Sequence, residues 1–377
     1  MSKHIPNILL LDGAMGTVLE EPPYGFTFSA QTPLWSSHLL LSHPTTLSEI
    51  HRSYVDAGAD IVLTATYQAS FEGFARTAIV PANVPADHKQ DERDGHATYR
   101  PMDATRYMRS AIPLAYSSFN FSSKPPRVAL SLGPYGATMC PVSAEYTGIY
   151  PEEMSNTAAL EAWHANRLKV YMEDPETWRK IEFLGFETVR RWDEVLAIRG
   201  AMGKLLQIAE SGQSRKWWIT GVFPQEDIDE EDVRRWTSAA FGSTSENGLR
   251  PWGIGVNCTR LENVERIVDI MEDELGREKL TNNGERASVG SSWSSRPWLV
   301  LYPDGTQGEI YDSTLKTWVK KDEEEITESW PERCWRIVNH IWNRNAWNGI
   351  LVGGCCRTRV HDIRALRDRI DSAWSGS

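Results

Sequence analysis

Short apolar runs rich in β-branched residues recur along the chain, and they constrain the fold more than any other feature. Eight runs stand out: Ile8–Leu11, Asp60–Thr64, Arg127–Leu132, Glu182–Phe186, Trp217–Val222, Gly253–Asn257, Trp298–Tyr302 and Gly349–Val352. Each is nearly continuous in apolar residues and does not alternate strictly with polar ones. That pattern is typical of strands buried on both faces of a parallel sheet.

The segments between these runs have helical periodicity. Thr45–Ala57 places Leu47, Ile50 and Tyr54 on one face, and Gly58 follows as a residue typical of helix C-termini. Similar periodicity is found in Leu261–Leu275, Trp330–Trp342 and His361–Ala373, and the stretch after Pro151 is long and amphipathic. Strands that alternate with helices in this way predict an α/β fold with a parallel sheet.

A single (β/α)8 TIM barrel over residues 1–377 is the architecture that we favour. The alternative is an open doubly wound sheet, which predicts a GxGxxG turn after the first strand. The chain has Asp12–Thr17 (DGAMGT) at that place. Four polar connections are interpreted as loop insertions into this one domain: about Ala78–Arg100, Asp227–Gly248, Gly276–Ser295 and Thr306–Glu328.

The charge balance excludes some partners. The chain has 40 Lys and Arg against 51 Asp and Glu, a formal net charge of −11, which disfavours a nucleic-acid partner. Met1–Asn7 lacks the basic start and long apolar stretch of a signal peptide, and no apolar run reaches the length of a membrane span. We therefore expect a cytoplasmic protein without a nucleic-acid or membrane partner, with its oligomeric state open.

Three of the five cysteines fall where a barrel collects catalytic groups. Cys258 follows the sixth apolar run, and Cys355 and Cys356 follow the eighth. Three thiolates with an open fourth position are typical of a catalytic zinc site. The spacing alone leaves two alternatives open: buried cysteines acting as small hydrophobes, which is our interpretation of Cys140 and Cys334, or a disulfide between adjacent Cys355 and Cys356.

The two segments that contain these three cysteines resemble those of a known family. Gly255–Thr259 (GVNCT) and Gly353–Thr358 (GGCCRT) are similar to the signature segments of the homocysteine S-methyltransferase family. Further similar segments are Leu11–Thr17, Ala57–Ile61, Thr66–Ser70, Ser131–Ala137 and Phe186–Thr188, so that the resemblance covers nearly the whole chain. Thr188–Arg191 and Tyr302–Gly305 depart from the family's usual sequence, which puts the outer wall of the pocket and the methyl donor in doubt.

The resemblance implies a (β/α)8 barrel that transfers a methyl group to L-homocysteine and forms L-methionine. It implies that Cys258, Cys355 and Cys356 hold Zn²⁺ and are the catalytic residues. It also implies that Asp12 and Glu187 hold the ammonium group of the substrate, for which carboxylates are suited.

The remaining expectations from the resemblance concern the pocket wall and the residues around the cysteines. They place Gly13, Tyr67, Gln68 and the loop Gly133–Ala137 at the substrate. Thr259, Arg357 and Thr358 are expected to orient the cysteines, and His361 to begin the last helix.

The methyl donor is expected to be a sulfonium compound. The chain is more similar to stand-alone enzymes that use S-methylmethionine or S-adenosylmethionine than to the betaine type, and we expect no folate or cobalamin module. A betaine-type enzyme, a zinc hydrolase and a zinc-binding barrel without methyltransferase activity are the alternatives. Because adjacent Cys355 and Cys356 could join, the sequence also predicts inactivation by oxidation through a disulfide between them.

Overall fold

The computed structural model describes residues 7–29, 32–79, 98–119, 125–140, 142–208, 214–242, 249–281, 296–306, 309–312, 317–320 and 327–375. The strands are β1 (Ile8–Leu10), β2 (Ile61–Leu63), β3 (Arg127–Leu132), β4 (Phe183–Phe186), β5 (Lys216–Gly221), β6 (Gly253–Asn257), β7 (Trp298–Tyr302), β8 (Glu309–Asp312), β9 (Thr317–Lys320) and β10 (Ile350–Val352). Eight of them, β1 to β7 and β10, form one sheet, and β8 pairs with β9 in a separate antiparallel hairpin.

Helices surround this sheet. They are α1 (Gly16–Glu20), α2 (Leu39–Ser42), α3 (Pro44–Asp56), α4 (Phe71–Ala75), α5 (Pro101–Ser117), α6 (Thr157–Met172), α7 (Pro175–Lys180), α8 (Trp192–Ile208), α9 (Glu230–Phe241), α10 (Leu261–Thr281), α11 (Trp330–Asn343) and α12 (Val360–Ser375). Short 3-10 turns lie at Trp35–His38, Tyr135–Thr138 and Glu152–Met154. None of the helices in the described ranges is both long enough and apolar enough to cross a membrane.

The eight-stranded sheet closes into a barrel. All its neighbouring strands run parallel, and β10 lies between β7 and β1. Closure is made by the parallel bridge of Leu11 with Ile61, where the Asp60 N–H donates to Leu10 O (2.7 Å) and the Asp12 N–H to Ile61 O (3.1 Å). The predicted (β/α)8 barrel is confirmed, and each of the eight apolar runs overlaps one of its strands.

Large side chains fill the inside of the barrel, and glycines make room for them. Trp218, Val300 and Leu351 are buried in one interior cluster. Gly185 lies beside Trp218, where a Cβ would stand 2.6 Å from the indole ring. The interior is therefore packed with side chains and does not form a pore.

One of the four predicted loop insertions is wrong. Asp227–Gly248 contains α9, which fills the usual helix position between β5 and β6 and buries Val233 and Trp236. The first turn of α9 is acidic, which makes it look like a polar loop in the sequence. Acidic residues are in fact favoured at a helix N-terminus, and the Asp229 side chain accepts hydrogen bonds from the N–H groups of this turn. In the connection after β7, the structure adds the hairpin β8–β9. Most of the other two connections, 80–97 and 282–295, lies outside the described residues.

The closest packing in the barrel yields a stability prediction at Gly255. A Cβ there would stand 1.9 Å from the carbonyl oxygen of Val300 on the neighbouring strand, which backbone cannot accommodate without moving. We expect Gly255→Ala to lower the free energy of unfolding by about 3 kcal/mol or more. The matched control is Gly276→Ala in α10, where a Cβ meets open space. It should raise stability by about 0.5–1 kcal/mol, and equal urea midpoints for the two variants would contradict the packing argument.

Candidate active site

Three cysteine sulfurs meet at the carboxyl ends of β6 and β10. The ligand atoms of Cys258, Cys355 and Cys356 lie within 4.8 Å of one another. Cys258 and Cys355 are joined by a disulfide, and Cys356 remains a thiol with its sulfur 3.8 Å from that of Cys258. The prediction of a bond between Cys355 and Cys356 is therefore wrong. The bond forms across the strand ends because the Cα atoms of Cys258 and Cys355 are 5.4 Å apart, a normal disulfide separation.

One sulfur separation already has the value expected for a tetrahedral metal ion, and the disulfide must be reduced before Cys258 and Cys355 can both bind it. With a Zn–S bond of about 2.3 Å, two sulfurs at neighbouring corners of a tetrahedron lie about 3.8 Å apart. The separation between Cys258 and Cys356 has this value. All three cysteines also line one cavity, so that a further ligand can approach from it. The cluster could therefore hold a metal ion with one position left for a substrate.

Two buried carboxylates lie in the same cavity. Asp12 follows β1, and its Oδ2 accepts from the Leu63 N–H (2.9 Å), while Oδ1 is buried without a described partner. Glu187 follows β4, and its Oε1 accepts from the Ser131 hydroxyl. Burial raises the pKa of Glu187 to about 7, and burial together with the nearby Glu187 raises the pKa of Asp12. A bound cation would stabilise the charged form of both carboxylates, which burial disfavours.

Asn257 links the cysteine end of the site to the carboxylate end. Its Oδ1 accepts from the Thr188 N–H and from the Thr220 hydroxyl, both at 2.7 Å. Its Nδ2 donates to the Thr188 hydroxyl (2.7 Å) and contacts the Cys355 sulfur (3.9 Å). Because Asn257 precedes Cys258 and Thr188 follows Glu187, this buried side chain fixes the two strand ends relative to each other.

Three residues at these strand ends have left-handed backbones without being glycine. The φ angles are 60° for Thr188, 45° for Cys258 and 66° for Arg357. Such conformations cost about 1–2 kcal/mol each for an ordinary residue. Side-chain bonds hold two of them: Asn257 holds Thr188, and the Arg357 guanidinium binds Glu21 (3.0 Å) and Glu309 (2.9 Å). The surrounding structure therefore imposes the site geometry.

The threonines beside the cysteines bond to backbone and not to sulfur. The Thr358 hydroxyl donates to Cys355 O (2.5 Å) and accepts from the Ala14 N–H (3.2 Å). The Thr259 hydroxyl donates to Asn257 O (3.0 Å) and accepts from the Phe223 N–H (3.0 Å). These bonds fix the backbone on both sides of the cluster. His361 is 71% exposed in the first turn of α12 and pairs with Asp362, away from the sulfurs.

The other predicted pocket residues lie along the cavity wall. Gly13 approaches Tyr54 so closely that a Cβ would stand 2.9 Å from its ring. Tyr67 lines the cavity, as does Gln68, whose Nε2 donates to Ala137 O (3.0 Å) and whose Oε1 is buried without a described partner. The structure thus brings Gly13, Tyr67 and Gln68 to one cavity with the cysteines and carboxylates. Their roles toward a substrate remain predictions.

The two remaining cysteines lie apart from the cluster and differ from each other. Cys334 is buried in α11, and burial raises the pKa of its thiol to about 12, so that it behaves as a small apolar side chain. Cys140 is half-buried and lines the cavity.

The cavity has a volume of about 210 Å³ and one sign of charge. Its described lining contains four acidic residues, Asp12, Glu20, Glu145 and Glu187, and contains no Lys, Arg or His. Aromatic rings of Phe28, Trp35, Tyr67, Tyr146 and Tyr302 complete the wall. Sequence reasoning missed Glu145 and Tyr146, although they lie in the same connection as the Tyr135–Thr138 turn. This cavity suits a cationic ligand.

Known proteins identify the family of the chain. A family model described as homocysteine S-methyltransferase matches residues 9–370. The chain belongs to the homocysteine S-methyltransferase family. It is 28% identical to the homocysteine S-methyltransferase of Escherichia coli (strain K12), over 96% of this chain and 95% of that protein. It is 26% identical to a homocysteine S-methyltransferase of Bacillus subtilis (strain 168), over 98% and 95%.

Two further comparisons concern the fold and the breadth of the family. The metallated form of the homocysteine methyltransferase MmuM from Escherichia coli superposes with a TM-score of 0.61 at 22% identity, over 96% of both chains, which supports the barrel fold. A betaine–homocysteine S-methyltransferase of Drosophila melanogaster is 25% identical over 90% of this chain and 87% of that protein. The family resemblance of the sequence is thus confirmed.

Arg167 is a buried residue of the site that the sequence did not reveal. It lies in α6 and is 3% exposed. Its guanidinium donates to four backbone carbonyls, those of Thr66, Tyr67 and Gly133 at 2.7 Å and that of Ala69 at 2.9 Å. One side chain therefore joins the loops after β2 and β3, which carry several of the cavity residues.

We expect Arg167→Met to destabilise the protein because it keeps the length of the side chain but leaves the four carbonyls without their donor. The expected loss is about 3 kcal/mol or more, measured as the free energy of unfolding in urea. The KM for homocysteine should also rise in assays of methionine formation, since the loops lose their common anchor. Arg179→Met, at a 72% exposed position of α7, is the control and should change neither quantity. An unchanged unfolding midpoint in Arg167→Met would contradict the anchoring role.

Proposed function

We propose that the protein transfers a methyl group from S-methylmethionine, or from S-adenosylmethionine, to the sulfur of L-homocysteine. The observation that carries this proposal is one cavity lined by both a three-cysteine cluster and the buried carboxylates of Asp12 and Glu187. Thiolates that hold a metal suit a substrate thiol, and carboxylates suit an ammonium group. An amino acid with a side-chain thiol has both groups.

In this proposal Cys258, Cys355 and Cys356 hold Zn²⁺, for which a set of thiolate ligands is well suited. When bound, zinc lowers the pKa of a substrate thiol, so that the thiolate is available at neutral pH. Asp12 and Glu187 bind the ammonium group and orient the amino acid. Asn257 keeps the two ends of that binding site at a fixed separation. Gly13, Tyr67 and Gln68 shape the wall around the substrate.

The reaction is a displacement at the methyl carbon. The homocysteine sulfur, which has lost its proton, forms a bond to the methyl carbon. The bond from that carbon to the donor sulfur breaks, and its electron pair stays on the donor sulfur. With S-methylmethionine both products are methionine. The positive charge of the sulfonium disappears along this path, so aromatic rings at the sulfonium oppose the loss of charge less than a carboxylate there would.

A betaine-type reaction is the second candidate. The 25% identical relative from Drosophila melanogaster carries that name. The aromatic lining of the cavity also fits a quaternary ammonium group, which binds to aromatic faces as a sulfonium does. Measured donor preference separates the two. The partners of the protein in this proposal are small molecules, and a cytoplasmic location remains a prediction.

The donor prediction is tested by offering S-methylmethionine, S-adenosylmethionine and betaine separately to reduced, zinc-supplemented protein with homocysteine. We expect methionine to form fastest with S-methylmethionine, because the family resemblance is to the stand-alone sulfonium enzymes. Methionine quantified by mass spectrometry, with an isotopically labelled donor methyl, gives the rates. A higher rate with betaine would favour the second candidate. No methionine with any donor would contradict the proposed activity.

We expect Cys258→Ala, Cys355→Ala and Cys356→Ala each to lose bound zinc and turnover, because each removes one thiolate ligand. Metal content by mass spectrometry and methionine formation measure the two losses. Cys334→Ala is the control and should keep both, since that thiol is buried in α11 away from the cluster. Oxidised wild-type protein should likewise bind no zinc until a dithiol reduces the bond between Cys258 and Cys355. Zinc retention by the oxidised protein would contradict the ligand assignment.

A further inference from the structure

Glu145 is a buried carboxylate in the cavity that the proposed handling of homocysteine does not use. It lies in the connection between β3 and α6, and its residue is 8% exposed. The side chain lines the cavity, and its Oε2 is buried without a described hydrogen-bond partner. A buried anionic oxygen with no partner costs free energy unless a ligand supplies the missing donor. None of the described lining residues is a cation that could do so.

The backbone around Glu145 is held tightly, so the carboxylate is placed before any ligand arrives. The Ala144 N–H donates to Gly136 O (2.9 Å), and the Gly148 N–H donates to Ala144 O (2.7 Å). Gly136 packs so closely that a Cβ would stand 2.9 Å from the Glu145 nitrogen. The nearby Ser143 side chain partly offsets the rise in the pKa of Glu145 that burial causes. Such a preorganised group is what a binding site for a charged ligand requires.

The three buried carboxylates of the cavity fall in two groups, and the fourth acid of the lining, Glu20, is exposed. Glu187 acts electrostatically on Asp12, at the ends of β4 and β1. Glu145 acts on Tyr67 more strongly than Glu187 does, and it also acts on Tyr146 and Cys356. The proposed reaction has two amino-acid substrates, and each carries one ammonium group. Two separate anionic places match two ammonium groups.

We propose that the Glu145 carboxylate binds the ammonium group of the methyl donor. This inference rests on the proposed function, in which the donor is an amino-acid sulfonium compound. The ammonium charge persists through methyl transfer, whereas the sulfonium charge disappears. A carboxylate at the sulfonium would stabilise the ground state more than the transition state and slow the reaction. A carboxylate at the ammonium stabilises the ground state and the transition state equally. It therefore favours donor binding without slowing methyl transfer.

The test compares two sulfonium compounds on wild-type protein and on Glu145→Gln. S-methylmethionine has an ammonium group, and 3-dimethylsulfoniopropionate has a sulfonium and a carboxylate but no ammonium. Binding of each is measured by isothermal titration calorimetry with reduced protein, and the KM for homocysteine is measured in the methionine assay. Glu145→Asp tests whether a carboxylate partly restores binding. Glu152→Gln, at an exposed acid of the same connection, is the matched control.

We expect Glu145→Gln to weaken S-methylmethionine binding about 10- to 100-fold, as loss of a charge-assisted hydrogen bond does. Binding of 3-dimethylsulfoniopropionate and the KM for homocysteine should stay unchanged, and the unfolding midpoint should not fall, because the amide removes a buried charge. Equal weakening of both sulfonium compounds, a raised homocysteine KM, or unchanged S-methylmethionine binding would each overturn the inference. The proposed function fails separately, through absence of methionine formation by wild-type protein that still binds S-methylmethionine. Absence of that binding in the wild-type protein would itself overturn the inference.

Discussion

Closure of the barrel between β1 and β2 is the constraint on which the site depends. The Asp12 N–H makes one of the closing bonds, to Ile61 O, while the Asp12 carboxylate accepts from the Leu63 N–H on the same neighbouring strand. The residue that closes the sheet therefore also presents a carboxylate to the cavity. Because every strand of the closed ring is parallel, the ends that carry Glu187 and the cysteines reach the same face.

Burial of several acids in one small space gives the cavity its chemical character. Burial removes water from Asp12, Glu145 and Glu187 and raises the pKa of each. A cation bound beside them would therefore stabilise their charged forms. A backbone N–H holds Asp12 and the Ser131 hydroxyl holds Glu187, and no described lysine, arginine or histidine of the lining neutralises the carboxylates. A cavity of this kind is arranged in advance for cationic amino acids and disfavours anions without an ammonium group.

The sequence predicts the strands and the cysteine cluster because both follow from local rules. A strand buried on both faces needs a continuous apolar run, and residues that follow such runs must share one end of a parallel barrel. The sequence did not predict α9, since its acidic first turn resembles a polar loop. Arg167 and Asn257 gave no signal either, because their importance depends on partners distant in the chain: Arg167 reaches carbonyls about 100 residues away and Asn257 reaches Thr188. The disulfide partner of Cys355 could not be predicted either, because it depends on the distance between the ends of β6 and β10.

The link through Asn257 bears on how a thiol amino acid would be selected. In the proposed function the sulfur lies at the cysteine cluster and the ammonium group at Glu187, and Asn257 joins the strand ends that carry them. The left-handed backbones of Cys258 and Thr188 resist adjustment, because each occupies a narrow conformational region. The distance between the two binding points is therefore set by the protein. In the proposed function a thiol one methylene shorter has to span the same fixed separation, and for such a difference hydrophobic pockets alone give only about 1–3 kcal/mol of discrimination. Rigidity between two polar anchors adds to that discrimination because a misfit leaves a buried carboxylate without its partner.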